Sequence, residues 1–299
     1  MKNTLIAFLS LILVAACAGS PPGPVKTENV LLSPLPQQKS PSVASTTSLE
    51  ELIEAPDLSA FISTWNSGDL EFIRSLYKAE ARYFNDTDIT DFYQQKPVDV
   101  LVRSKAFSQK VKDQGENSLK IIGKPFGIYD KLTAFQYERE SSSGIQNGVT
   151  LLRFEDGKVL LQVDIPEQDD QSAIEAAEKF DLPELMRVWN EVDYDAAKSI
   201  YSPAATILSD EDLLQATWRD FKDPPKLNHL LKQFKGWNPK GIGKPLQVGN
   251  IILFPWHWYE KDFPVGFGLR VIQVDEGGIS KDIRFVIRPW ETSKPFLTP

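Results

Sequence analysis

Phe61-Ile62-Ser63-Thr64-Trp65-Asn66-Ser67-Gly68-Asp69-Leu70 decides the fold of this chain. Together with Leu58, its apolar positions Phe61, Ile62 and Trp65 fall at i, i+3, i+4 and i+7, the spacing that lines one face of a helix. Asn66-Ser67-Gly68 then interrupts that period, and Asp69 is placed to cap a second helix by accepting from its first free N–H groups. The second helix is predicted to bury Leu70, Ile73, Leu76 and Tyr77.

The same frame recurs 124 residues later. Setting residues 48–88 against 172–212 without a gap matches thirteen positions, among them Ser48/Ser172, Glu51/Glu175, Asp57/Asp181, Trp65/Trp189, Asn66/Asn190, Asp69/Asp193, Tyr77/Tyr201 and Asp86/Asp210. Leu182, Leu185, Met186 and Trp189 repeat the apolar stripe, and Val192 stands where the first copy has Gly68. Ser48 with Glu51, and Ser172 with Glu175, read as capping boxes opening a helix in each copy. Leu227, Leu230, Leu231 and Phe234 predict a further helix in the second copy. Gly123-Lys124-Pro125 and Gly243-Lys244-Pro245 match at a shift of 120 and read as turns before a sheet. A repeat of this length implies two tandem domains.

Beyond the helices the period changes to two. Leu132 to Glu140, Val149 to Phe154 and Val159 to Ile165 read as strands, with Asp156-Gly157 as a hairpin turn. The second copy offers Ile251 to Glu260, Phe267 to Val274 and Ile283 to Ile287. Helices followed by an antiparallel meander make an α+β class, with the helices covering the sheet's apolar face. The run from Phe61 to Leu70, with Leu76-Tyr77 and Ala81 after it, resembles the opening of nuclear transport factor 2-like domains. That superfamily includes ketosteroid-isomerase-like and SnoaL-like branches. The resemblance implies two tandem cone-shaped domains, each a curved antiparallel sheet around N-terminal helices with a pocket at the wide end. It marks a fold and not an activity, because in its enzymes an Asp, Glu, His or Tyr inside the cone acts as acid or base.

The N-terminus carries a different signal. Lys2 precedes an apolar run from Leu5 to Ala16, too short to span a bilayer as a helix. Leu13-Val14-Ala15-Ala16-Cys17 resembles the lipobox of bacterial lipoproteins, which implies cleavage before Cys17, its lipidation, and export to an outer membrane, facing the periplasm. Several acyl chains on one residue give durable anchoring where a single chain is marginal. Residues 18–47 hold Pro21, Pro22, Pro24, Pro34, Pro36 and Pro41 among Ser, Thr and Gln, the composition of an unfolded spacer. The expected division is 1–16 signal peptide, 17–47 tether, 48–168 and 169–292 folded domains, and 293–299 tail.

Composition narrows the chemistry. Net charge is -8 with no basic stripe, so no nucleic-acid partner is expected. Cys17 is the sole cysteine, so neither a disulfide nor thiolate catalysis is expected once it is acylated. His229 and His257 are the two histidines and lack metal-ligand spacing; no metal and no cofactor are expected. Asp86 and Asp210 lie in polar clusters and read as turn or cap residues. No catalytic set is assigned.

The densest candidate is Phe254-Pro255-Trp256-His257-Trp258-Tyr259, whose alternation sends Trp256 and Trp258 to one face of a strand and His257 and Tyr259 to the other. With Tyr137, aligned to His257 at the shift of 120, these residues form the expected ligand pocket. The expectation is a non-catalytic, lipid-anchored envelope protein that binds a small hydrophobic ligand, a cell-wall component or a protein. A hydro-lyase or isomerase working in the second domain is the alternative. A pseudo-symmetric monomer or weak dimer is expected, since a tandem pair can make within one chain the sheet contact through which relatives dimerise.

Overall fold

The computed structural model describes residues 57–114, 119–141, 144–215, 227–233, 237–241, 244–260, 263–288 and 291. The segment ending at Cys17, the spacer to residue 47, the Ser48/Glu51 pair, Phe234, Gly243 and the tail 293–299 lie outside the described residues. In the first copy, α1 (Ser59–Asn66) and α2 (Leu70–Ser75) precede β1 (Tyr77–Phe84), followed by α3 (Asp86–Tyr93) and α4 (Lys105–Gln114). Four strands then follow: β2 (Leu119–Ile128), β3 (Leu132–Ser141), β4 (Gly144–Glu155) and β5 (Lys158–Pro166). The second copy runs α5 (Gln171–Glu178), α6 (Leu182–Glu191), α7 (Tyr194–Ile200), β6 (Tyr201–Ser209), α8 (Asp210–Gln215) and α9 (Leu227–Gln233). Its strands are β7 (Trp237–Gly241), β8 (Leu246–Val248), β9 (Ile251–Glu260), β10 (Phe263–Asp275) and β11 (Gly278–Ile287).

The strand orders are β1-β5-β4-β3-β2 and β6-β11-β10-β9-β7, with β8 also pairing β9. Each copy is thus α+β, helices first, as the sequence indicates. The sheets are not wholly antiparallel, however: β1 joins β5, and β6 joins β11, in parallel. Tyr77 accordingly opens a strand and does not close α2, because pairing with β5 at Val159 overrides the local helical period.

The repeat holds in register. Thr150 pairs with Asp164 and Leu152 with Gln162, while Arg270 pairs with Arg284 and Ile272 with Asp282. Both ladders slip at the corresponding place, after Arg153 and after Gln273. Gly123-Lys124-Pro125 proves to be such an irregularity inside β2, between Ile122 and Phe126. Lys244 and Pro245 instead precede β8.

Several caps are as the sequence indicates and others move by a residue or two. Asp69 accepts from the N–H of Glu71 at 3.0 Å and of Phe72 at 3.1 Å, and Asp193 caps α7 through Ala196 at 3.0 Å. Asp170 caps α5 in place of Ser172, accepting from the Ser172 N–H at 3.0 Å. Val192 takes the left-handed conformation, φ 57°, that Gly68 takes at 65°. Asp86 and Asp210 are not caps. Asn85 and Asp88 form the box at α3, and Ser209 with Asp212 does the same at α8.

Alternation along the strands explains the packing of the two copies. Val149 and Leu151 of β4, and Leu161, Val163 and Ile165 of β5, face one side with Leu269, Val271, Ile283 and Phe285 of the other sheet. The helices were expected to supply the cover for each sheet, yet they cover only one face. The other faces pack on each other in a shared core, the sheet-to-sheet contact made within one chain. On the helix sides, Phe61, Trp65, Ile73, Phe107 and Leu152 cluster in the first copy, and Leu185, Trp189, Leu231, Trp256 and Trp258 in the second.

Polar ties cross between the copies from the equivalent residues Asp86 and Asp210. Asp86 pairs with Lys281 at 2.9 Å, and Asp210, fully buried, pairs with Arg153 and accepts from the Val286 N–H at 3.2 Å. Arg153 also donates to the Val286 carbonyl at 2.7 Å and pairs with Glu291. Asn250, buried, fixes the connection between the copies by accepting from the Gln168 N–H at 3.1 Å and donating to its side-chain oxygen at 3.0 Å.

Candidate functional site

A cleft of about 770 Å³ opens on the helix side of the first sheet, with Tyr83, Gln114, Tyr137, Arg139 and Asp164 among its lining. Strand alternation places them: Tyr137 and Arg139 are i and i+2 on β3, and Asp164 shares a face with Gln162 on β5. The Asp164 carboxylate is 2% exposed and accepts four hydrogen bonds. Thr150 Oγ1 donates at 2.8 Å and Gln162 Nε2 at 2.9 Å to one oxygen; Tyr83 Oη at 2.9 Å and Arg139 Nη2 at 3.2 Å donate to the other.

Outside that ring, Gln114 Nε2 donates to Tyr83 Oη at 3.0 Å, and Tyr77 Oη donates to Gln162 Oε1. The Arg139 guanidinium lies 4.8 Å from the centroid of the Tyr137 ring. Burial pushes the phenols of Tyr77, Tyr83 and Tyr137 well above their ordinary value, with the nearby Asp164 charge adding to the shift. They stay protonated donors. Burial works against the charge on Arg139, but the Asp164 carboxylate more than offsets it and the guanidinium is held charged. With both oxygens of Asp164 occupied by donors, this carboxylate anchors the side chains around it.

The second copy fills the corresponding space. Tyr137 sits opposite Gly148 and Arg139 opposite Gln146, while Trp256 sits opposite Gly268 and Trp258 opposite Gly266. Trp256 and Trp258 therefore stand at the positions of Tyr137 and Arg139, fully buried, their rings 4.4 Å apart. At the Thr150 position stands Arg270, whose Nε and Nη2 donate to Asp282 at 2.9 and 2.6 Å. Tyr201 Oη, which accepts from Trp189 Nε1 at 3.0 Å, donates to Asp282 at 2.5 Å. Two indoles and a closed ion pair occupy what is an opening in the first copy.

Strand pairing corrects the alignment of Tyr137 with His257. The offset on these strands is 119, and a one-residue slip turns a side chain to the opposite face. Of the sequence candidates, Tyr137 lines the open cleft while Trp256 and Trp258 fill the second cone. His257 and Tyr259 face the other copy's sheet, with Tyr259 Oη 2.6 Å from His257 Nδ1 and the His257 ring 6.3 Å from that of Phe267. The five do not converge on one pocket. His229 lies on α9, away in sequence from all of them. Arg139, Asp164, Tyr83 and Gln114 are absent from the sequence candidates; for the first three the signal is a polar residue at a strand position whose neighbours are apolar, while Gln114 ends helix α4. Among the described residues no cluster of His, Cys, Asp and Glu is arranged to hold a metal ion, and no helix is long and apolar enough to cross a membrane.

Fold and site thus define a tandem pair of α+β cones, one with an open polar cleft, the other filled at the corresponding place, among the described residues, by Trp256 and Trp258. No family model matches the chain, and no curated protein matches it. Among solved structures it is similar to an NTF2-like protein of unknown function from Cytophaga hutchinsonii, at 8% identity over 42% of this chain and 94% of that one, TM-score 0.28. It is also similar to an NTF-2 like protein of unknown function from Burkholderia xenovorans, at 13% identity over 41% of this chain and 91% of that one, TM-score 0.30. A protein of cystatin-like fold from Methylobium petroleophilum matches at 9% identity over 38% of this chain and 74% of that one, TM-score 0.30.

Proposed function

We propose that this chain is a lipid-anchored envelope protein that holds a small polar ligand in the cleft of its first domain without transforming it. The second domain serves as the rigid sheet against which the first is braced. One observation carries the reading: Asp164, the carboxylate at the floor of the open cleft, is already saturated by Thr150, Gln162, Tyr83 and Arg139. A general base needs a lone pair within reach of the substrate proton. A binding floor needs fixed donors and acceptors, and that is what is present.

The hydrophobic ligand expected from the aromatic strand has no matching wall in this cleft, since Trp256 and Trp258 are spent on packing. An isomerase in the second domain would have to work where those indoles sit. Lipidation at Cys17, and with it an outer-membrane address facing the periplasm, rests on the lipobox-like segment and the proline-rich spacer.

Two measurements test this. Radiolabelled palmitate should enter the wild-type chain and not Cys17→Ser; equal labelling refutes the anchor. A ligand-observed NMR screen of the detergent-purified chain with a library of small polar metabolites should give hits whose signals weaken in Tyr83→Phe. Hits confined to apolar compounds, or turnover of a hit, would refute the binding role.

A further inference from the structure

The cleft has a polarity along its depth. At the floor, Arg139 is 7% exposed and, among the described residues, makes one hydrogen bond, from Nη2 to Asp164. A guanidinium carries five N–H donors in a planar fork. Its guanidinium lies over the Tyr137 ring, 4.8 Å from the centroid, and both residues line the cleft. Gln114, at the end of α4, adds a buried Oε1 without a partner to the lining. Toward the outside the lining turns acidic, with Asp113, Glu167 and Asp169. Asp86 also lines the cleft but is engaged by Lys281, and the one lysine of the lining, Lys110, is engaged by Asp88. The floor thus offers N–H donors of a guanidinium already paired with Asp164, while the rim carboxylates make no ion pair among the described residues. That order suits a ligand with its carboxylate inward and its ammonium outward.

Resting on the reading that this cleft is a binding site, we propose that it takes a small zwitterion of the amino-acid or short-peptide class. The ligand carboxylate enters first and accepts from the Arg139 fork, a charge-assisted contact of the strong kind. Its ammonium group stays near the mouth among Asp113, Glu167 and Asp169. Neither end alone recruits both sets of groups, so the two charges together set the affinity and the direction of entry.

Calorimetric titration of the full-length chain in detergent with alanylalanine, propionate and ethylamine tests this. Alanylalanine should bind at least about tenfold more tightly than either half-ligand. The rim variant Asp113→Asn/Glu167→Gln/Asp169→Asn should lose that advantage and bind the dipeptide no better than propionate. Arg139→Gln should abolish binding. Because that change leaves Asp164 without its counter-charge and can unfold the domain, the solvent-accessible rim variant is the decisive arm. Ethylamine binding as tightly as alanylalanine, or a rim variant with unchanged affinity, overturns the proposal. If the dipeptide fails while the metabolite screen still yields ligands sensitive to Tyr83→Phe, the zwitterion assignment falls and the binding role stands. If the screen too yields none, both fall.

Discussion

Tyr137 and Trp256 occupy one and the same position in the two sheets, each across from a glycine, Gly148 and Gly268. A Cβ built on Gly148 would lie 2.6 Å from the Tyr137 ring, and one on Gly268 would lie 1.8 Å from the Phe285 carbonyl oxygen. The close approach requires glycine at both places. The difference in side chain decides which cone is open. Trp256→Ala should cost about 3–5 kcal/mol, the usual range for emptying a large buried aromatic site. Tyr137→Phe, which keeps the ring, should cost about 1 kcal/mol or less. Urea unfolding of the two variants checks the contrast.

The two copies are tied by Arg153 and Asp210. Arg153→Met strands a carboxylate in the shared core and should destabilise by about 3–5 kcal/mol. Adding Asp210→Leu should restore most of that, because no buried charge is then left unpaired. A double variant no more stable than Arg153→Met alone would show that the pair does not hold the copies together.

Burial pushes the Asp210 carboxyl up to about 6 against the pull of Arg153. Between its ordinary value of 3.8 and about 6, the folded chain keeps a proton that the unfolded chain has released. By linkage this group contributes stability that is fully present below the ordinary value and is lost as pH rises through 6. The stability difference between Asp210→Asn and wild type should therefore shift in favour of the variant from pH 4.5 to pH 6.5. A constant difference across that range would contradict the shift. Asp282 has the opposite sign: burial opposes its charge, but Arg270 more than compensates and holds its carboxyl below the ordinary value. Its contribution is lost only as pH falls below 3.8.

Asp69 and Asp193 cap equivalent helices, so Asp69→Ala and Asp193→Ala should each cost about 1 kcal/mol. Thermal melts of the two variants should show similar losses, since neither carboxylate is part of the cleft.

Helices α1, α2, α5, α6 and α9 and strands β3 to β5 and β9 to β11 were legible in the sequence, because a stripe at i, i+3, i+4, i+7, a capping pattern and an alternation of two are local properties of the chain. Helices α3, α4 and α8, and strands β2 and β6 to β8, were not. The repeat of Trp65-Asn66 and Asp69 as Trp189-Asn190 and Asp193 likewise needs nothing but the order of residues. Strand β1 was not legible: Tyr77 continues a helical stripe in sequence and becomes a strand only because β5 offers it an edge. Nor was the site. That Asp164 meets Tyr83, Arg139 and Thr150 depends on four strands lying in one sheet order, and the groups are scattered over 82 positions of chain. The one-residue offset between β3 and β9, which makes Trp256 and not His257 the counterpart of Tyr137, follows from hairpin register. Periodicity thus fixed the leading helices and the hairpin strands of each unit and showed that the unit occurs twice. Tertiary pairing decided which side chains stand at the cone positions, Tyr137 and Arg139 in one sheet and Trp256 and Trp258 in the other, because face and register are set by the neighbouring strand and not by the segment itself.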